Sequence, residues 1–298
     1  MSAPHWHVLG AGAIGCLFAS ALQRSGCNVT LLLRDCAGND STTVIVQGDD
    51  TCCELQLPVA TAGHSGKISH LLVTTKAYDA RQAVTTVAKQ LSPGSQVLLL
   101  VNGMGLSEEL RKDFPHLDFY CGTTTEGAYR IAPQHIRHAG RGQTRIGQPG
   151  RNTPPPWFDQ WSRAVDACLW DSHIEEALWL KLAINCAINP LSALHGCHNG
   201  ELARRAELQL EVTRLCHEIA VISSAAGYPK IAATLEQAVL EVIASTADNR
   251  SSMLQDIQRG RRTEIDHITG YLLQVAARHG IAAPYNSTLL ESIHSLDY

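Results

Sequence analysis

A strand-like segment, His5 to Leu9, runs straight into Gly10-Ala11-Gly12-Ala13-Ile14-Gly15. A helical apolar pattern then follows through Leu17, Ala21 and Leu22 to Gly26, and a second β-rich run, Asn28 to Leu33, comes directly after it. Three glycines at this spacing, after a strand and opening a helix that returns to a strand, restrict the fold severely. The first permits a tight turn, the second lets backbone approach a diphosphate, and the third lets helix and strand pack closely. The helix then faces bound phosphates with its positive end. The expectation is a dinucleotide site on Gly10, Ala11, Gly12, Ala13, Ile14 and Gly15. The simpler alternative is a glycine-rich turn with no ligand.

The alternation continues. Leu71 to Thr75 and Gln96 to Val101 are apolar strands, the latter bounded by Pro93-Gly94 and Asn102-Gly103, with helical segments near Asp79 to Leu91 and Gly105 to Phe114. Continuous apolar strands alternating with helices indicate a parallel sheet covered on both faces. Asp35 to Ser69 has no clear period and reads as irregular structure with one or two short strands. Cys121 to Gly147 reads as antiparallel strands extending the sheet edge, and Phe158 to Cys168 as an amphipathic helix. From Ile174 every segment reads helical, with apolar positions recurring at three and four residues in Leu202 to Ala226, Ile231 to Ala247 and Glu264 to Arg278. The expected architecture is an α/β Rossmann-type dinucleotide-binding domain, residues 1–172, followed by an all-α C-terminal domain, residues 173–298.

The formal net charge is −4 with no basic block, which argues against nucleic acid or an anionic membrane as partner. No apolar run reaches the roughly 18 residues of a membrane span without a charge or amide in it. Ten scattered cysteines include no C-x-x-C pair, so buried free thiols and a cytoplasmic location are expected, with no metal site. His195, Cys197 and His198 lack a further ligand group at a familiar spacing.

One helical segment, Ala177 to Leu194, is apolar all round except for Lys181, Asn185 and Asn189. Their spacing of four puts them on one stripe. Lysine is seldom buried without a partner, since desolvating its charge costs several kcal/mol or more. Only six of the 24 basic residues are lysine, so Lys181 does not reflect a lysine-rich composition. The stripe reads as the wall of a polar ligand site; the alternative is a structural network between helices.

The end of the second strand bears on the cofactor. An acidic residue there binds the ribose of NAD, whereas an arginine accommodates the 2′-phosphate of NADP. Arg34 comes first, which favours NADP(H), and Asp35 after it leaves NAD open.

Several strings, in order, carry a resemblance: GAGAIG, TTKA around Lys76, VNGMG around Asn102, GTTTEGA up to Ala128, WLKLAINCAINPLSA, HNGEL around Asn199, NRSSMLQD and RRTEIDHITG. Together they resemble the ketopantoate reductases, the 2-dehydropantoate 2-reductases of pantothenate and coenzyme A biosynthesis. The resemblance spans nearly the whole chain and is weakest over Cys36 to Ser69, where nothing is carried over. It implies that Gly10 to Gly15 hold the cofactor's diphosphate, Arg34 its 2′-phosphate, and Lys76, Asn102, Ala128 and Glu264 other parts of it. Lys181 would be the catalytic acid, aided by Glu264. Asn102, Lys181, Asn185, Asn189, Asn199 and Ser252 would bind ketopantoate, in a monomer or homodimer.

The residue types agree with that chemistry on their own terms. Hydride delivered to a ketone carbon leaves charge developing on oxygen, which a nearby ammonium stabilises and protonates. Burial disfavours the charged lysine and a carboxylate such as Glu264 restores it. Each residue also has a plainer role open to it: Glu264 as a helix-start charge, Ser252 as a local cap, Lys76 as a solvated strand end. Two rival readings remain open, a reductase of another branched 2-keto acid and a nucleotide-sensing binding protein.

Overall fold

The computed structural model describes residues 4–36, 38–63 and 66–296. They form two compact units. One runs to Val101 and resumes over Leu106–Glu175; the other takes the short turn Asn102–Gly105 and continues from Glu176.

The first unit is built on an 11-stranded sheet. Its strands are β1 (His5–Leu9), β2 (Asn28–Leu33), β3 (Ser41–Gln47), β4 (Cys52–Thr61), β5 (Ile68–Val73), β6 (Leu91–Leu99), β7 (Asp118–Thr124), β8 (Gly127–Ala132), β9 (His135–Gly140), β10 (Thr144–Gly147) and β11 (Cys168–Trp170). Their order is β11-β10-β7-β6-β5-β1-β2-β4-β3-β9-β8. The six central strands, β7 to β4 in that order, are parallel. The chain steps outward from β1 to β2 and β4, then returns to β5 on the other side of β1, so the strand order reverses at β1.

Helices cover both faces. Trp6, Val8, Leu72 and Leu98 pack beneath α1 (Ala13–Arg24), and their alternating neighbours Leu9, Leu71, Val73, Val97 and Leu99 pack beneath α2 (Ala77–Val87) and α3 (Leu106–Asp113). That two-sided burial is why the central strands are continuously apolar in sequence. On the first face, α4 (Phe158–Ala164) adds Trp161, stacked on Phe18 at 5.6 Å between ring centroids.

Three expectations need correction here. The stretch expected to be irregular with one or two short strands holds two longer ones, the hairpin β3–β4, in which seven residues pair from Ser41↔Pro58 to Gln47↔Cys52. The β-branched run Thr42 to Val46 favours a strand, but only Val44 in it is buried, so β3 lacks the clear apolar alternation that one fully buried face would impose. Pro93-Gly94 does not bound β6; it lies in a bulge where the β5–β6 register slips after Ile68. The helix expected over Phe158 to Cys168 stops at Ala164, Val165 turns extended, Ala167 takes a left-handed φ of 49°, and Cys168–Trp170 joins the sheet. Cys121 to Gly147 does extend the sheet, but at both edges: the β8–β9 hairpin lies beyond β3, and β10 pairs antiparallel with β7.

Among its described residues the second unit has helices and no strand: α5 (Ile174–Leu194), α6 (Glu201–Arg204), α7 (Ala206–Ala225), α8 (Pro229–Ser245), α9 (Ser252–Gln258), a π-helix at Asp266–Gly270, α10 (Tyr271–Arg278) and α11 (Pro284–His294). Leu202 to Ala226 is broken at Arg205, whose backbone is extended. Helix α5 has the length and apolar content to cross a membrane, yet most of it is core, with Trp179, Leu182, Cys186 and Ile188 buried among α7, α8 and α10. Trp179 anchors it by donating to Ser223 Oγ at 2.9 Å and stacking on Tyr228. Nor is α5 buried all round. Ala177, Leu178, Lys181, Ile184 and Asn185 form a half-open strip, which is the stripe that carries the polar residues. Seven of the ten cysteines are buried and all are free thiols.

Candidate active site

In the first unit, the glycine-rich turn, Arg34 and Lys76 lie past the carboxyl ends of adjacent parallel strands. Gly10 follows β1, Arg34 follows β2, and Lys76 stands at the N-cap of α2, three residues after β5. Sheets of this type bind ligands at such ends, beside the strand where the order reverses. The glycine-rich turn is held from within. The Gly10 carbonyl accepts from Gly12 N–H at 2.8 Å and from Thr74 Oγ1 at 2.8 Å. A Cβ on Gly15 would run into the Gly10 carbonyl and the Thr74 hydroxyl, so only glycine lets α1 approach β1 this closely.

A diphosphate fits this turn. No side chain caps α1, its first turn has no acidic residue, and the space in front of Gly12 is open. Its first amides therefore lack an intrahelical acceptor and favour an anion. Arg34 is exposed and donates to Asp79 Oδ2 at 2.9 Å, with Asp35 exposed beside it. Lys76 is half-buried. Ala128 lies in β8 where the pairing with β9 slips between Gly127 and Ala128.

In the second unit, three residues remote in sequence come together. Glu264 is 4% exposed and accepts from Asn102 Nδ2 at 3.1 Å. It also acts electrostatically on Lys181. Burial pushes the Lys181 pKa down to about 8, and the Glu264 carboxylate pulls it back up. The Asn102 turn is seated by the π-helix: Met104 N–H donates to the His267 carbonyl at 3.3 Å. Gly103 has a φ of 85° and lies so close to that carbonyl that a Cβ would collide with it. Short π segments widen a helix by one residue per turn and recur at functional sites. This one places the His267 carbonyl against the turn.

The remaining substrate candidates differ in setting. Asn185 is half-open beside Lys181 on the strip, while Asn189 is buried, and its carbonyl accepts from Ser192 Oγ at 3.1 Å. Asn199 is buried and donates from Nδ2 to Thr246 Oγ1 at 2.9 Å. Thr246 gives its own proton to the Val242 carbonyl at 2.6 Å, so it can only accept from Asn199, and this fixes which way the Asn199 amide faces. Ser252 is exposed at the first position of α9; the cap is Ser251, which accepts from Leu254 N–H at 3.1 Å. His195 and His198 turn to different acids, Glu211 and Glu201. Sequence reasoning missed Thr74, Thr246 and Ser251. Ser251 carried a signal, a serine opening an apolar helical run; the two threonines carried none.

The family model described as "Ketopantoate reductase PanE/ApbA" matches residues 6–151, and its C-terminal counterpart, "Ketopantoate reductase PanE/ApbA C terminal", matches 173–297. The chain belongs to the ketopantoate reductase family. A 2-dehydropantoate 2-reductase of Salmonella typhimurium is 40% identical over 294 residues, covering 96% of this chain and 93% of the relative. A 2-dehydropantoate 2-reductase structure from Geobacter metallireducens superposes with a TM-score of 0.89 at 25% identity, over 98% of this chain and 99% of that one. A D-mandelate dehydrogenase solved with NADH and anilino(oxo)acetate shares the fold, with a TM-score of 0.83 at 21% identity over 98% of each chain.

Proposed function

We propose that this ketopantoate reductase family member reduces 2-dehydropantoate to (R)-pantoate with NADPH, using Lys181 as general acid. The observation that carries the reading is Lys181 itself, a lysine held near pKa 8 by burial beside the carboxylate of Glu264. An acid whose pKa lies close to working pH is protonated when needed and still gives its proton up readily. A nicotinamide cofactor supplies the hydride. Lys181 Nζ hydrogen-bonds the ketone oxygen, stabilises the charge that develops there and transfers its proton to it. Glu264 keeps Lys181 charged, and Asn102 occupies one oxygen of that carboxylate and holds it in place. Asn185, Asn189 and Asn199 orient the substrate's oxygens as neutral amides that leave the lysine's charge uncancelled, and Ser252 meets its carboxylate. Gly10 to Gly15, Arg34, Lys76 and Ala128 bind the cofactor, with Arg34 exchanging Asp79 for the 2′-phosphate. The reading puts the enzyme in the cytoplasm, where thiols stay reduced.

The test is loss of NADPH absorbance with 2-dehydropantoate, run beside NADH, a panel of branched 2-keto acids and Lys181→Ala. Turnover confined to 2-dehydropantoate and NADPH and lost in the variant is the expected result. Preference for another keto acid or for NADH would replace that part of the assignment. Cofactor binding with no turnover on any substrate would favour a sensor.

A further inference from the structure

The hairpin β8–β9, at the far edge of the sheet, reaches back to the glycine-rich turn through Arg130. Its guanidinium Nη2 donates to the Ala11 carbonyl at 3.1 Å. A second sign of its position is that Arg130 is near enough to the first turn of α1 to act on the Cys16 thiol. A trans peptide points its carbonyl and its N–H in opposite directions. The peptide joining Ala11 to Gly12 is therefore held at both ends, its carbonyl by Arg130 and its N–H by the Gly10 carbonyl at 2.8 Å. With that plane fixed, the next amides, those of Ala13, Ile14 and Gly15, remain at the helix start without an intrahelical acceptor.

Arg130 is poorly placed for the stability of the protein alone. A cation at the positive end of a helix is unfavourable, and α1 has no acidic residue in its first turn to offset it. The placement makes sense for a bound anion. Arg130 is carried by the β8–β9 pairing itself, facing Ile136 across the strands.

We propose that Arg130 is a positioning residue of the dinucleotide site, fixing the Ala11–Gly12 peptide of the glycine-rich turn and adding positive charge for the cofactor's diphosphate. This rests on the dinucleotide-binding part of the function proposed above and not on the identity of the keto acid.

The experiment measures NADPH and NADP⁺ binding to the full chain by titration calorimetry, without substrate, for wild type, Arg130→Met and Arg130→Lys. The expected result for Arg130→Met is weakening on the order of 10-fold, the effect of one lost charge-assisted hydrogen bond. Affinity should also fall less steeply with salt, because one cation near the diphosphate is gone. Arg130→Lys should recover part of the affinity by restoring charge. Thermal unfolding without ligand should show Arg130→Met no less stable than wild type, while the stabilisation given by NADPH shrinks. A merely structural role would lower the unliganded melting temperature instead. Affinity within twofold of wild type, or destabilisation of the unliganded protein, overturns the proposal. Wild-type protein that binds NADPH but reduces no keto acid defeats the reaction assignment alone, and the Arg130 comparison is still decided. Wild-type protein that binds no dinucleotide overturns both.

Discussion

The two units place their candidate chemistry in opposite ways. In the sheet unit it lies mostly in backbone: uncapped amides at the start of α1, a peptide plane held by Arg130, and a glycine that admits no Cβ. In the helical unit it lies in side chains: an ammonium, a carboxylate and amides drawn from Asn102, Lys181 and Glu264. A backbone site can be written in one short string, because turn geometry is local. A side-chain site at a buried charge needs partners from distant segments, because only tertiary packing can enclose an ammonium and supply its counter-charge.

Replacing Lys181 tests the side-chain half most severely. Lys181→Ala should lower kcat by about 10²- to 10⁴-fold, the usual share of a positioned acid, with NADPH affinity little changed in a binding titration. The two tight glycines compare the units directly. Gly15→Ala should destabilise by about 1–3 kcal/mol and weaken NADPH binding, since its Cβ meets the Gly10 carbonyl. Gly103→Ala should cost a similar amount in denaturant unfolding but fall chiefly on turnover, because it shifts the Asn102 turn against His267. If both variants lose the same property, the division of labour fails.

A subtler effect comes from pH. Activity should decline as pH rises through about 8, where Lys181 loses its proton. Glu264→Gln removes the charge that raises this pKa, so the decline should begin at lower pH in a rate profile. The linkage to stability has the opposite direction. The folded pKa lies below the ordinary 10.5, so between about 8 and 10.5 the unfolded chain binds more protons and stability rises with pH. The sheet unit has its own titration in His7 and His70, both held near 4, mainly by burial. Their folded values lie below 6.5, so stability should fall as pH drops from 6.5 towards 4, and His7→Gln should flatten that loss in acid unfolding curves. The smallest expected change is Thr246→Val. It frees the Asn199 amide to turn and should raise the KM for the keto acid a few-fold, by about 1 kcal/mol, while Thr246→Ser restores it.

Much of this was legible before any coordinates. The alternation of apolar strands and helices, the Gly10 to Gly15 turn and the polar stripe of α5 all follow from local periodicity. The strands β3 and β4 are longer than expected because only Val44 and Leu57 in them are buried, so β3 shows no clear apolar alternation, although β4 alternates exposed and covered residues from Cys52 to Pro58. The break at Arg205 and the strand at Cys168–Trp170 were missed because the surrounding apolar spacing suits a helix. Within the candidate site, Lys181, Asn185 and Asn189 stand out as polar residues in an apolar run, whereas nothing in the sequence pattern singles out Thr246 or Arg130.

The sequence by itself determined the fold class and the residue types available for chemistry, since both depend on patterns only a few residues long. Only the tertiary structure decided which of those residues meet. The Asn102 turn leaves the sheet unit in mid-chain and seats on a π-helix some 160 residues later. The Asn102–Glu264 bond and the charge balance at Lys181 come from that seating. The physical reason is that a lysine's pKa depends on what surrounds it in space, and its neighbours in sequence supply only part of those surroundings.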